Sequence, residues 1–373
     1  MATISGGGGT VVTTAFDPGT TLYKALQGAL NALGSTSGAI DSVVASGSTP
    51  GGVSITGTAG GTELLAGDNG NDTINAAGGT GTVIAGNGNN TVYMNSTSVA
   101  GSINLVLGSG ADTVAMSNGS TTVSGDAAGH DTINLVAHTG FGTSDNYVSV
   151  SGGNVTVGVN AYGSDTIAGN ATVNVNVSDF GTHHVAVTLT GDDALSATGS
   201  GTFNQNGGND TFSFGSGTET MSLSGGNATV YGGSATLQAT VAGGESANFA
   251  TGSGTVTAGA GNDTIIAGTG NLTVYAGTGN DSLVAGTGNQ AFNFTAASIS
   301  GASTYVISSF AGGATGGNDT INLQGVTIAN QTTGATVAGG SGTGDLINLS
   351  NGSKIFLQGY EHTVTTVSGG GYH

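Results

Sequence analysis

AGAGNDTII-AGTGNLTVY-AGTGNDSLV-AGTGNQAFN, residues 258–293, is four consecutive units of nine residues. Gly259, Gly268, Gly277 and Gly286 align, as do Gly261, Gly270, Gly279 and Gly288, and the eighth position is always apolar: Ile265, Val274, Leu283, Phe292. A fixed repeat of this kind decides the architecture before local propensities do. Glycines in the first half and an alternating β segment in the second describe a turn followed by a strand. Two units complete one coil of 18 residues, and stacked coils pair their strands in parallel. The two-residue alternation of a strand then points position eight inward and positions seven and nine outward. The turn needs glycine because several of its backbone angles exclude a Cβ. The fold class expected is all-β, a parallel β-solenoid.

Working outward, a second block near the start has the same phase, with Ile74, Val83 and Val92 nine apart and preceded by Thr73, Thr82 and Thr91. The solenoid is expected over residues 50–293. Ahead of it, residues 1–49 combine the strand-like MATISGGGGTVVTTAF with one helix, as a cap or an assembly arm. Asp17 is the expected N-cap and Pro18 the first helical residue. Leu22, Ala25, Leu26, Ala29, Leu30 and Leu33 mark the apolar face, and Gly34 supplies the stop. A helix over an open end of the β stack and a helix for partner docking both fit. Residues 294–373 form a β-rich C-terminal cap.

Composition limits what such a stack can do. Of 373 residues 74 are Gly, only 6% are charged, and two Lys face 21 acidic residues, for a formal charge of −19. Phosphate recognition needs Lys and Arg, so nucleic-acid and anionic-membrane binding are excluded. Cys is absent, which removes disulfide and thiolate-metal designs. No apolar run is long enough to cross a bilayer, so membrane insertion is not expected. The β-branched content separates the chain from a disordered acidic tail. Its uncompensated charge points to divalent cations.

The units resemble the glycine-rich nonapeptides of RTX proteins, the hemolysin-type calcium-binding repeats. The likeness is strongest over 258–293, good over 67–93 and scattered elsewhere, with G-x-D-T-(apolar) fragments at Asp112, Asp131, Asp165, Asp210 and Asp319. It implies a parallel β-roll with calcium held in the turns. The segment 292–325 looks like the strand-rich end that follows such rolls, and DLINLSNGSKIFLQGY, residues 345–360, resembles their closing hairpin. The resemblance also implies secretion without an N-terminal signal, through a type I system reading the C-terminus.

Spacing adds its own argument. Asp263 and Asp281 are 18 apart and therefore stack on one edge of adjacent coils. Carboxylates with backbone carbonyls from Gly259, Gly261, Gly268, Gly270, Gly277 and Gly279 make the hard oxygen set that calcium prefers. Leu272 and Gln290 occupy the opposite edge, so calcium is expected on one edge only in this block. Asp72 pairs with Asn90, with Gly81 on the other edge. Asp112, Asp131, Asp210 and Asp319 complete the candidate ligands. The competing role for every one of these aspartates is a turn residue whose side chain accepts a backbone N–H.

No catalytic constellation stands out. H-E-x-x-H is missing, His183 and His184 are adjacent, and His130, His138, His362 and His373 are scattered, so all six are read as surface residues. An enzyme is not expected. Outward Thr264 and Ser282, and an outward apolar pair Ile266 and Val284, offer surfaces for association. The leading expectation is a secreted, calcium-binding structural protein. It would self-assemble as a homo-oligomer or polymer into an extracellular filament, biofilm matrix or surface layer. The alternative is a monomeric calcium-stabilised adhesin that binds ice or a carbohydrate such as cell-surface polysaccharide.

Overall fold

The computed structural model describes residues 2–5, 11–14, 16, 18–33, 40–44, 51–57, 62–76, 80–95, 102–117, 120–125, 130–136, 147–150, 154–160, 166–169, 172–178, 185–189, 192–198, 200–299, 302–312, 318–337, 342–364 and 371–372. Asp17, Gly34, His138, Asp165, His183, His184 and His373 lie outside them. The fold is a parallel β-solenoid with one short N-terminal helix and a mixed C-terminal sheet. Contacts divide the chain into two compact units, Met1–Ala197 and Thr198–His373.

In the first unit successive strands alternate between two parallel sheets. One holds Ile40–Val44, Thr62–Ala66, Thr80–Gly86, Ser102–Leu107, Ser120–Gly125, Tyr147–Val150 and Thr166–Gly169. The other holds Ser54–Thr56, Thr73–Asn75, Thr91–Asn95, Thr113–Ser117, His130–Val136, Asn154–Asn160 and Thr172–Ser178. Each coil therefore gives one strand to each sheet. The inner faces meet as two apolar columns, Leu65-Val83-Leu105-Val123-Val148 and Ile55-Ile74-Val92-Val114-Ile133-Val157, all buried. These are the inward eighth positions of the repeat.

The helix, Thr21–Leu33, seats Leu22, Leu26 and Leu30 with Phe16 against Leu64, Ala66, Ile84 and Val106. Those four point out of the first sheet, opposite in parity to its inner column. The helix thus covers the outer face of the first sheet. The cause is local: Leu64-Leu65, Val83-Ile84 and Leu105-Val106 make neighbouring strands apolar on both faces, and the outer face needs a cover. The helix also begins later than Asp17. The hydroxyl oxygen of Thr20 accepts the Tyr23 N–H at 3.3 Å, taking the N-cap role, after Gly19 turns the chain with φ of 89°. Upstream, Ala2–Ser5 and Val11–Thr14 fold back on each other as an antiparallel pair.

In the second unit the 18-residue coil is explicit: Ser246 pairs with Thr264 and Thr264 with Ser282, while Gly254 pairs with Leu272. Its inner columns are Ala247-Ile265-Leu283-Ile307-Leu357 and Ala239-Val256-Val274-Phe292-Ile321. The outward pair Ile266 and Val284 is only half-buried and is bounded by Asn248 and Ser308, so it forms no long apolar stripe. At the C-terminal end Lys354–Gln358 lies parallel on Thr304–Ser308 and forms an antiparallel hairpin with Gly344–Leu349, which carries Ile328–Ala335 at its edge. The hairpin that residues 345–360 implied is present.

Candidate functional site

The buried polar residues fall into columns. At the turn-to-strand junction the N–H faces the next coil with no carbonyl opposite it, and a buried N–H must find some acceptor. Here the sixth position of the next coil supplies one. Asp281 Oδ1 accepts the Asp263 N–H at 3.0 Å, and Asp263 Oδ1 accepts those of Gly244 and Glu245 at 3.0 and 3.1 Å. Backbone pairing resumes one residue on, with the Ser282 N–H donating to the Asp263 carbonyl at 2.8 Å. The stack is headed by Glu245, whose carboxylate accepts the Gly225 and Gly226 N–H groups, and is followed by buried Tyr305, whose hydroxyl donates to the Gly277 carbonyl at 2.8 Å.

The first unit repeats the device. Asp72 Oδ1 accepts from Val53, Asn90 Oδ1 from Asp72 and Asp112 Oδ1 from Asn90, each at 2.8 Å, and Asp131 Oδ1 accepts from Asp112 at 3.0 Å. On the opposite edge of the second unit Gln290 Oε1 accepts the Leu272 N–H at 2.9 Å, and Asp319 Oδ1 accepts the Gln290 N–H at 2.7 Å. Gln290 therefore does the structural work of an aspartate on the edge where no carboxylate was expected.

The preceding residue reaches the other way. Asn262 Oδ1 accepts the Asn280 N–H and Asn280 Oδ1 the Thr304 N–H, both at 2.8 Å, while Asn71 and Asn89 do the same for Asn89 and Ala111 at 2.9 Å. Each Asn-Asp pair thus bonds forward with one side chain and backward with the other. These four asparagines, Glu245 and Tyr305 stand outside the candidate residues legible in the sequence. The 18-residue offset applied to Asn262 and Asp263 would have found the first two.

The second head-group atom separates the rungs. Asn90 uses its amide nitrogen to donate to the Gly86 and Gly88 carbonyls, at 3.2 and 3.1 Å. Gln290 donates likewise to Gly270 at 2.9 Å. Asp72 Oδ2 accepts the Asp68 N–H at 2.6 Å and Asp319 Oδ2 the Ala311 N–H at 2.9 Å, so both serve as turn acceptors with each oxygen used. The Oδ2 atoms of Asp112, Asp263 and Asp281 are buried and accept no hydrogen bond. Burial disfavours the charged form of each, against the opposing pull of backbone N–H groups, and lifts Asp112 to about 7 and Asp281 to about 6. Asp72, Asp131, Asp263 and Asp319 are raised for the same first cause.

These bare oxygens are what a cation would use, so Asp263, Asp281 and Asp112 fit calcium. Among the described residues no three His, Cys, Asp or Glu side chains converge, so most of such an ion's shell would be backbone oxygen. Of the six glycine carbonyls expected as ligands, Gly259, Gly268, Gly270 and Gly277 already accept bonds from Thr278, Thr287, Gln290 and Tyr305. Gly261 and Gly279, with φ of 129° and 136°, bracket the turn beside Asp263 and Asp281. Asp210 is buried at the equivalent place, two residues before inward Phe212, and is in register with Ala228 of the following coil. His130 and His362 are exposed. The chain matches no family model, no curated protein and no solved structure.

Proposed function

We propose that the chain is a secreted, RTX-like structural β-solenoid whose rigidity depends on calcium and which self-associates in an extracellular matrix or layer. One observation supports this above the others. Asp112 in the column of the first unit, and Asp263 and Asp281 stacked in the second, each hold the neighbouring coil with one oxygen and leave the other buried and bare. Calcium bound there would satisfy those oxygens together with turn carbonyls and would offset part of the formal charge of −19. The chain's own contribution is preorganisation: the Oδ1 bonds fix the carboxylates in register, and the apolar columns exclude water behind them.

The test compares the wild-type chain with Asp263→Asn/Asp281→Asn in a calcium titration followed by circular dichroism, light scattering and electron microscopy. Asparagine keeps the Oδ1 acceptor, as Asn90 does, and replaces the bare oxygen by a donor. The wild type is expected to gain order and assemble with calcium, while the double variant folds without it and does not respond. A wild-type chain that binds no calcium, or stays monomeric with it, defeats the proposal.

A second reading, a monomeric adhesive or ice-binding solenoid, is favoured by one outer column. Ser54, Thr73, Thr91, Thr113, Thr132 and Thr156 stand in register on successive strands of the first unit, giving an uncharged row of hydroxyls. Thermal hysteresis from the monomer would support this reading over assembly.

A further inference from the structure

The second unit has an outer groove that neither the carboxylate columns nor the coil packing uses. It is a cleft of about 310 Å³ lined by Thr220, Gln238, Thr240, Thr255 and Thr257, with Met221 and Ala239 at its floor. The strands place those groups in two outward columns. One runs Thr202 to Thr220, then Gln238-Thr255-Thr273; the other includes Thr240-Thr257-Tyr275-Asn293. Tyr275, at 38% exposure, is thus the register neighbour of the lining residue Thr257, one coil further on.

We infer that this groove binds a neutral polysaccharide chain. Three features select that ligand class. The lining holds no charged side chain, so neither an anion nor a cation finds a counter-charge there. Hydroxyls and one primary amide offer both donors and acceptors, which is what sugar hydroxyls require. Tyr275 adds a flat apolar ring with a polar tip at the groove's end, a platform for the C–H face of a sugar ring. The columns repeat at about 4.8 Å per coil, close to the length of one pyranose unit along an extended chain. Successive sugars therefore meet successive coils. The site needs an extended glycan and excludes acidic ones, because the surrounding protein carries a charge of −19.

The inference does not depend on ion occupancy of the carboxylate columns. Its test uses the full chain, shown folded by circular dichroism, in co-sedimentation with cellulose and in calorimetric titration with a soluble β-glucan and with polygalacturonate. Binding to the neutral glucans is expected, with little or none to the polyuronate. Tyr275→Ala and Gln238→Ala should each weaken it tenfold or more, while Tyr93→Ala, an exposed tyrosine of the other unit, leaves it unchanged. Failure to bind either neutral glucan overturns the inference. So does equal binding of the polyuronate, or binding that survives both groove variants.

Discussion

At the scale of the residue, a buried carboxylate with one committed and one bare oxygen is poised between proton and cation. Without ions, the folded state holds a proton on Asp281 and Asp112 more tightly than the unfolded chain does, because burial raises both to about 6 and about 7 from 3.8. The sign follows by linkage. A carboxyl raised on folding costs nothing below its unfolded value and destabilises progressively as pH climbs toward its folded one. Chelator-treated protein should therefore lose melting temperature between about pH 4 and pH 7, the reverse of what a salt-bridged carboxylate gives. Calcium should flatten that slope. A melting curve series in chelator that rises over this interval would contradict the burial of these two side chains.

Elements were unevenly legible in the sequence. The 18-residue coil, the inward eighth position and the stacking of Asp263 on Asp281 follow from a strict period, and the period survives folding because every rung bonds to the next. Less could be read where the signal is a matter of partners. Asp263 lies at even spacing from inward Ile265 and so points inward too, yet sequence alone does not say whether its oxygen meets an N–H or an ion. Gln290 is no carboxylate, yet its longer side chain with a carbonyl end reaches the corresponding N–H on its edge. The helix was visible from its apolar face, but its seat was written in other strands, in the doublets that expose Leu64, Ile84 and Val106 outward. Leu26 is fully buried in that seat, so Leu26→Ala should cost about 2–5 kcal/mol in chemical denaturation. Thr20→Ala, which removes a long 3.3 Å cap, should cost about 0.5–1 kcal/mol. If Leu26→Ala were neutral, the helix would not be covering the sheet. Glycine sets a harder limit in the turns: a Cβ on Gly279 would fall 1.5 Å from the Gly261 carbonyl oxygen, so Gly279→Ala should unfold its coil.

At the scale of the whole molecule, two basic residues against 21 acidic ones leave a large uncompensated negative charge and the self-repulsion that goes with it. Monovalent salt screens it, over a Debye length of about 8–10 Å near physiological strength. Calcium should do that and more. One site with a dissociation constant of about 10⁻⁴–10⁻³ M contributes roughly 0.4–1.4 kcal/mol at 1 mM calcium. Melting temperature should therefore rise with sodium chloride and rise further with calcium chloride at equal ionic strength. Identical curves would mean that screening is the whole effect. Most of the stability rests on the apolar columns and the ladders between coils, so the ions act near the margin.

The opposed reach of each Asn-Asp pair also governs how such a gene can change length. A single residue gained or lost between such a pair and the strand that follows it shifts the register and turns the inward side chains outward. Whole coils can be duplicated or dropped without that damage. Extra residues are already accommodated between some rungs, with offsets of 22 from Asn90 to Asp112 and 29 from Gln290 to Asp319. Insertional mutagenesis should find its tolerated sites there and at the 19-residue rung from Asp112 to Asp131, and in the regular coils around Asp263 and Asp281 only in steps of eighteen.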